Sequence, residues 1–426
     1  MAYVIIGNSA AAVGAIEGIR KIDAETPITV ISDENYRAYS RPLISYWLGG
    51  KLGGDDKIFY RDADFYEKNK AFPVLGKSVT KINKDAKTVS LSDGAEIVYD
   101  KLLVATGSKP FVPPMTGLDK VEKQYTFMDY SSVINIKSAL ENISGARKIL
   151  IIGAGLIGLK AAESFYEISR PNDKITVVDM ADRILPSILD VSAGQIMQKH
   201  LEEKQVAFEL GTVVDTFTVN PINGTQMAVL KNGKNIDFDI LILAVGVRPN
   251  ISLVQDIGGA VGRAIKTDKT QLTTIPDVYA AGDCTESFDV SSGTDKVLAL
   301  LPNAYLQGEA AGVNMACTQL GNGSSVPYEN AIPMNAIGFF GLHIITAGSY
   351  DGTELLVTEG SKSYKKFFVK DNKLVGYILL GDIERAGIYT SLIREQTPLD
   401  TVNFDLLKKN PQLLGFGKDK RKEKLA

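Results

Sequence analysis

The sequence predicts an α/β chain in which one parallel-sheet domain is inserted into another, followed by a small α+β domain. Three observations predict it. Between Lys148 and Asp179 an apolar strand, a glycine turn, a helical pattern and a second strand ending on an acid follow one another. The same order of elements is written at the start of the chain, from Tyr3 to Asp33. A short apolar strand that closes on a small-residue turn occurs twice, at 100–107 and at 239–246.

The bulk composition narrows the function classes. At 426 residues the chain exceeds one hydrophobic core and should divide into two or three domains. A net charge of −3 argues against a nucleic-acid partner. No apolar run reaches the roughly 18 residues a membrane helix needs, so a soluble, cytoplasmic protein without membrane association is expected. Cys284 and Cys317 are the only cysteines and form no C-x-x-C pair, which excludes a disulfide scaffold, a local redox dithiol and a zinc ribbon. His200 and His343 lie too far apart in sequence to suggest a metal site, and none is expected. The hard chemistry must therefore come from a bound cofactor.

The stretch from Lys148 carries the strongest signal. Ile149–Ile152 feeds Gly153-Ala154-Gly155-Leu156-Ile157-Gly158, a G-x-G-x-x-G turn in its full strand–helix–strand context. Gly153 makes the tight turn, Gly155 lets backbone approach a pyrophosphate, and Gly158 allows helix to pack on strand. The helix start offers N–H groups to phosphate. Asp179 stands 21 positions after Gly158, where a carboxylate can accept from a ribose 2′-OH and repel a 2′-phosphate. NADH is therefore preferred over NADPH, although Arg183 close by is the kind of residue that accommodates the phosphate.

At the N-terminus, Tyr3–Ile6 leads into Gly7-Asn8-Ser9-Ala10-Ala11-Ala12 and a helical stretch to about Ile22. Asp33 follows Ala12 by the same 21 positions, which favours it over Glu34 as ribose partner. Strands are expected near Val79–Ile82 and Thr88–Leu91, then at Asp100–Val104 before Ala105-Thr106-Gly107. The second closing turn is Ala244-Val245-Gly246. Gly107 and Gly246 sit 100 and 93 residues after Gly7 and Gly153, which points to duplicated, Rossmann-like architecture.

Pro110, Pro113 and Pro114 read as the way out of the first unit, and Arg248-Pro249-Asn250 as the way back. The expected domains are 1–111 with 248–322, an inserted 112–247, and 323–426. A strand ends on Gly282-Asp283, and Pro302 opens a helix from Asn303 to about Thr318 rich in small residues. A hairpin is expected around Asp371-Asn372, then a helix after Arg385. From Gly417 a lysine-rich, solvated tail is expected.

These motifs, with ATGSKP at 105–110, AVGVRPN at 244–250 and TTIPDVYAAGDC at 273–284, resemble the two-dinucleotide flavoprotein reductases. That group belongs to the pyridine nucleotide–disulfide oxidoreductase superfamily, and the resemblance covers nearly the whole chain. It implies that the first unit holds FAD. The residues implied are Gly7, Ser9, Ala10, Ala11, Asp33, Glu34, Arg41, Pro42, Ala105, Thr106, Gly107, Gly282, Asp283, Pro302, Asn303 and Ala304. It implies that the inserted unit holds NADH through Gly153, Gly155, Leu156, Ile157, Gly158, Asp179, Met180, Arg183, Val245 and Gly246. The nicotinamide would stack on the flavin and deliver hydride to it.

The branch is decided at Tyr39–Tyr46, where peroxidase, oxidase and coenzyme A-disulfide branches carry a redox cysteine. Arg41-Pro42 stands there instead, similar to the rubredoxin and ferredoxin reductase branch and to the flavin part of nitrite reductases. The activity implied is electron transfer from NADH through FAD to an iron–sulfur or rubredoxin-type protein. The chain would act alone, as a homodimer, or as the diaphorase subunit of a larger metalloenzyme. Direct reduction of oxygen and a non-catalytic nucleotide-binding subunit stay open as alternatives. Many relatives carry a lysine at the position of Tyr46 and a glutamate at that of Lys160; here the charge is inverted. Tyr46 and Lys160 are accordingly the candidate catalytic residues, with Lys160 expected to favour the reduced flavin.

Overall fold

A computed structural model describes residues 2–220 and 224–425. It separates into two compact units, one made of residues 1–40, 56–109 and 248–333, the other of 41–55, 110–247 and 334–426. Both units have the expected α/β class, with parallel-sheet Rossmann-like cores, and the C-terminal part is an antiparallel sheet. Seven helices matter below: α1 (Ala10–Arg20), α2 (Leu43–Leu48), α3 (Tyr130–Glu141), α4 (Leu156–Glu167), α5 (Val191–Glu202), α6 (Leu301–Leu320) and α7 (Ala386–Arg394).

In the first unit five parallel strands run in the order Val278–Ala280, Lys101–Val104, Tyr3–Ile6, Ile28–Ser32, Ala71–Leu75. Tyr3–Ile6 is buried at every position, as a central strand covered on both faces must be. Helices α1 and α6 cross at their small residues. A Cβ on Gly308 would lie 2.0 Å from the Ala11 carbonyl oxygen, and one on Gly312 2.2 Å from that of Ala15. The small-residue stripe read from the sequence is thus a helix–helix contact.

The second unit repeats the plan. Its parallel strands run Val206–Leu210, Lys174–Asp179, Lys148–Ile152, Ile240–Leu243, Gln124–Thr126. The C-terminal sheet orders its strands Met334–Phe339, Leu342–Gly348, Lys373–Leu380, Ser363–Lys370, Thr353–Gly360, all antiparallel, and α7 follows. The hairpin around Asp371-Asn372 forms as expected, with both turn residues left-handed (φ 49° and 59°). Three strands of that sheet escaped the sequence reading. The solvated tail expected from Gly417 is a helix, Lys418–Leu425.

The C-terminal sheet is bonded to the Rossmann-like part of its own unit. Asp190 caps α5 through the Ala193 amide and also accepts from the Tyr364 hydroxyl and the Lys366 ammonium, each at 2.6 Å. Burial alone would raise its carboxyl, but these donors outweigh it and hold the group below the usual carboxylate range. Tyr350 donates to the Ile188 carbonyl (2.6 Å) and stacks on Phe368 at 4.7 Å.

Candidate functional site

The two glycine turns have matching geometry. Gly7 and Gly153 take φ of 115° and 113°, conformations open to glycine. A Cβ would fall 2.1 Å from the Ala105 oxygen in one unit and 2.3 Å from the Ala244 oxygen in the other. The closing turns Ala105-Thr106-Gly107 and Ala244-Val245-Gly246 therefore press against the first glycine of each fingerprint. Among the described residues, its chain neighbours apart, no atom lies within 4 Å of where a Cβ on Gly155 would stand, which leaves room at the start of α4.

The helix starts fit a dinucleotide. α1, α4 and α6 begin at Ser9, Gly155 and Leu300, and none of these makes a side-chain capping bond. In the same chain Asp129 and Asp190 cap α3 and α5 through carboxylates. A first turn without a side-chain acceptor leaves backbone donors for an anion, and the helix dipole adds to the attraction. The residues present thus suit the pyrophosphates of two dinucleotides.

The acids at the strand ends differ between the units. Asp179 closes its strand and accepts from the Ala154 amide (2.6 Å) and the Ala181 amide (2.7 Å). It holds the glycine turn while keeping further lone pairs for a ribose. In the first unit Gly7 N bonds Ile31 O as Gly153 N bonds Val178 O. By that register Ser32 stands where Asp179 does, and exposed Asp33 follows it. Glu34 accepts from the Tyr39 hydroxyl and Ser32 Oγ from the Glu34 amide. Equal sequence spacing therefore does not give equal register here. Met180 is 78% exposed beyond Asp179. Arg183 bonds Asp182 at 3.1 Å and lines an open cavity of about 530 Å³, and among the described residues its buried Nε has no acceptor.

At the far side of the first-unit sheet, Gly282 N donates to Gln307 Oε1 (2.6 Å), which fixes the turn that carries half-buried Asp283. Gln307 is 2% exposed and was not singled out from the sequence. Asn303 and Ala304 are buried behind Pro302. The Asn303 amide bonds the Ile332 carbonyl (3.3 Å) and accepts from Tyr328 (2.9 Å), so its side chain serves the fold.

Arg41-Pro42 begins a segment that packs in the second unit. The Arg41 guanidinium donates to the Met128 carbonyl (3.0 Å), and Pro42 leads into α2. Helix α2 lies against α4, where Ser164 Oγ donates to the Ser45 carbonyl (2.9 Å). This brings the two candidate catalytic residues together: the Lys160 ammonium is 5.3 Å from the centre of the Tyr46 ring. It is 5.1 Å from that of Phe339 as well, and it is paired. Glu163 Oε2 and the Gly338 carbonyl each accept from it at 2.6 Å. The Lys160 and Glu163 side chains are only 14% and 12% exposed. Sequence reasoning missed Glu163, although an acid three residues on along a helix is the ordinary partner of a lysine.

Both cysteines are buried and unbridged, and burial pushes the Cys284 thiol up to about 11. Among the described residues no group of three His, Cys, Asp or Glu could hold a metal ion, and no helix is long and apolar enough to cross a membrane.

Residues 1–308 match the family described as pyridine nucleotide-disulphide oxidoreductase, and residues 333–397 the rubredoxin NAD+ reductase C-terminal domain. The chain is 30% identical over 403 residues to the NADH-dependent phenylglyoxylate dehydrogenase subunit epsilon of Aromatoleum evansii, covering 93% of this chain and 92% of that one. It is 35% identical over 327 residues to an NADH oxidase of Methanocaldococcus jannaschii (74% and 70%), and 28% over 382 residues to the rubredoxin-NAD(+) reductase of Alcanivorax borkumensis (89% and 94%). Among solved structures it is similar to an NAD-dependent persulfide reductase from A. fulgidus, with a TM-score of 0.85, 25% identity, and coverage of 95% and 79%.

Proposed function

Because the chain belongs to the pyridine nucleotide-disulphide oxidoreductase family, whose members depend on FAD and NADH, we propose that it exchanges electrons between NADH and an iron–sulfur or rubredoxin-type protein. Bound FAD would supply the conversion of a two-electron hydride into single electrons. The first unit would hold FAD at Gly7, Ser9 and the first turn of α1, with Asp33 or Glu34 on the ribose and Asp283 on the ribitol or pyrophosphate. The second would hold NADH at Gly153–Gly158 with Asp179 on its ribose. Tyr46 and Lys160 would flank the reacting rings.

The observation that carries this reading is the match of residues 333–397 to a rubredoxin NAD+ reductase domain. Arg41-Pro42, which by the resemblance stands where thiol-dependent branches carry a cysteine, supports it. The relative that is a dehydrogenase subunit supports a role within a larger assembly, with this chain as the NADH-linked flavin subunit. The NADH oxidase relative supports a second reading, in which oxygen is the acceptor. Anaerobic NADH consumption with added ferredoxin or rubredoxin, compared with consumption in air without a carrier, separates the two. Absence of turnover with every acceptor, dyes included, would leave only a nucleotide-binding subunit.

A further inference from the structure

The turn that joins Met334–Phe339 to Leu342–Gly348 is an unusual one. Phe340 and Gly341 are both left-handed, with φ of 50° and 85°. That geometry suits Asn-Gly, and a phenylalanine at its first position is strained. The strain is held by side chains from two helices of the Rossmann-like part of the same unit. Glu163 Oε1 on α4 accepts from the Phe340 amide (2.7 Å), and Lys160 on α4 donates to the Gly338 carbonyl (2.6 Å). His200 Nε2 on α5 lies 3.3 Å from the Phe340 carbonyl. The Phe340 ring meets Tyr166 of α4 edge to face, 5.0 Å between centres.

Lys160 and Glu163 are also each other's partner, on the helix that starts at the glycine turn. Removing either leaves a mostly buried charge uncompensated. The helix start and the hairpin are therefore fastened through one ion pair.

We propose that Lys160 and Glu163 are positioning residues that couple coenzyme binding at Gly153–Gly158 to the order of the Gly338–Gly341 turn. The proposal rests on the reading that this glycine turn holds the dinucleotide. An anion on the first turn of α4 restrains that helix, and the restrained helix presents Lys160 and Glu163 to the turn in one arrangement. Linkage makes the effect reciprocal: whatever the coenzyme does for the turn, the turn does for coenzyme affinity by the same factor.

The test is hydrogen exchange followed by mass spectrometry on the FAD-loaded chain, with and without NAD+. In the wild type, NAD+ slows exchange both in peptides covering 153–158 and in peptides covering 336–342. In Glu163→Ala, which removes the acceptor of the Phe340 amide, the 336–342 response is lost, and the Kd for NAD+ rises by roughly fivefold or more. Lys160→Met, which keeps the Glu163 bond to Phe340, shows a smaller loss of both. Protection of 153–158 without any change at 336–342 in the wild type would overturn the coupling. Protection of neither segment would remove the dinucleotide reading and the proposal with it.

Discussion

Lys160 and Glu163, one turn apart on α4, form a 2.6 Å ion pair with both side chains largely shielded from water. On the proposed reading Lys160 would lie beside the flavin, where a lone cation would favour the reduced ring. At about 5 Å and an effective dielectric of about 20 that attraction is roughly 3 kcal/mol before desolvation. For a two-electron couple it corresponds to at most about 70 mV. Glu163 offsets much of it. Lys160→Met should lower the flavin midpoint by about 20–50 mV, Lys160→Glu should lower it further, and Glu163→Gln should raise it. The double variant Lys160→Met with Glu163→Gln should return close to the wild type. Spectroscopic redox titration measures all of these, and identical midpoints would show that the pair does not act on the flavin.

FAD content follows from the first glycine turn. The purified chain should be yellow, with about one FAD per chain. Gly7→Ala should weaken FAD binding by about tenfold or more, because its Cβ meets the Ala105 oxygen. Anaerobic titration should consume about one NADH per FAD, since neither buried cysteine can supply a dithiol. At pH 8 the Cys284 thiol, pushed up to about 11, stays protonated and should resist alkylation in the folded protein. A second equivalent of NADH, or a colourless protein indifferent to FAD, would contradict the assignment.

Coenzyme choice should rest on Asp179. NADH should exceed NADPH in kcat/KM by about tenfold or more, and Asp179→Ala should narrow the gap without removing FAD. The substitution also frees the Ala154 and Ala181 amides, so KM for NADH should rise. Arg183, which lines the cavity beside Asp182, is the cation near enough to accommodate a 2′-phosphate. Parity of the two coenzymes in the wild type would defeat the expectation.

Asp190 gives a pH-dependent prediction. Its folded carboxyl is depressed, so its stabilising contribution is fully present above about pH 4, the ordinary aspartate range. That contribution disappears as the pH falls through the lower folded value. Asp190→Asn can still cap α5 but cannot pair with Lys366, and should cost about 2 kcal/mol at neutral pH. Thermal unfolding should show a Tm difference at pH 7 that shrinks toward pH 3. A difference independent of pH would mean that the carboxylate charge is not what matters.

Much of this was legible in the sequence, for a physical reason. The glycine turns, the closing turns at Gly107 and Gly246, and the small-residue face of α6 are places where backbone meets backbone, so side-chain size is restricted and visible in the residue types. The hairpin at Asp371-Asn372 carries residues that tolerate left-handed backbone, so its turn is visible in the residue types. The hairpin at Phe340-Gly341 has the same left-handed geometry but no such residue at its first position, because side chains distant in sequence hold it. Glu163 and Gln307 were missed likewise: each acts on a backbone group brought near by the fold. The register that sets Ser32, rather than Asp33, opposite Asp179 depends on where a strand begins to bond, and spacing alone does not reveal that.

Electrons are proposed to leave the flavin toward an iron–sulfur or rubredoxin-type protein. Stopped-flow mixing of the NADH-reduced chain with oxidised ferredoxin or rubredoxin, and separately with air-saturated buffer, tests this most directly. The carrier should reoxidise the flavin at least about tenfold faster than oxygen, in single-electron steps seen as bleaching of the carrier. Reoxidation by oxygen at a rate that neither carrier exceeds would contradict it and leave the oxidase reading in its place.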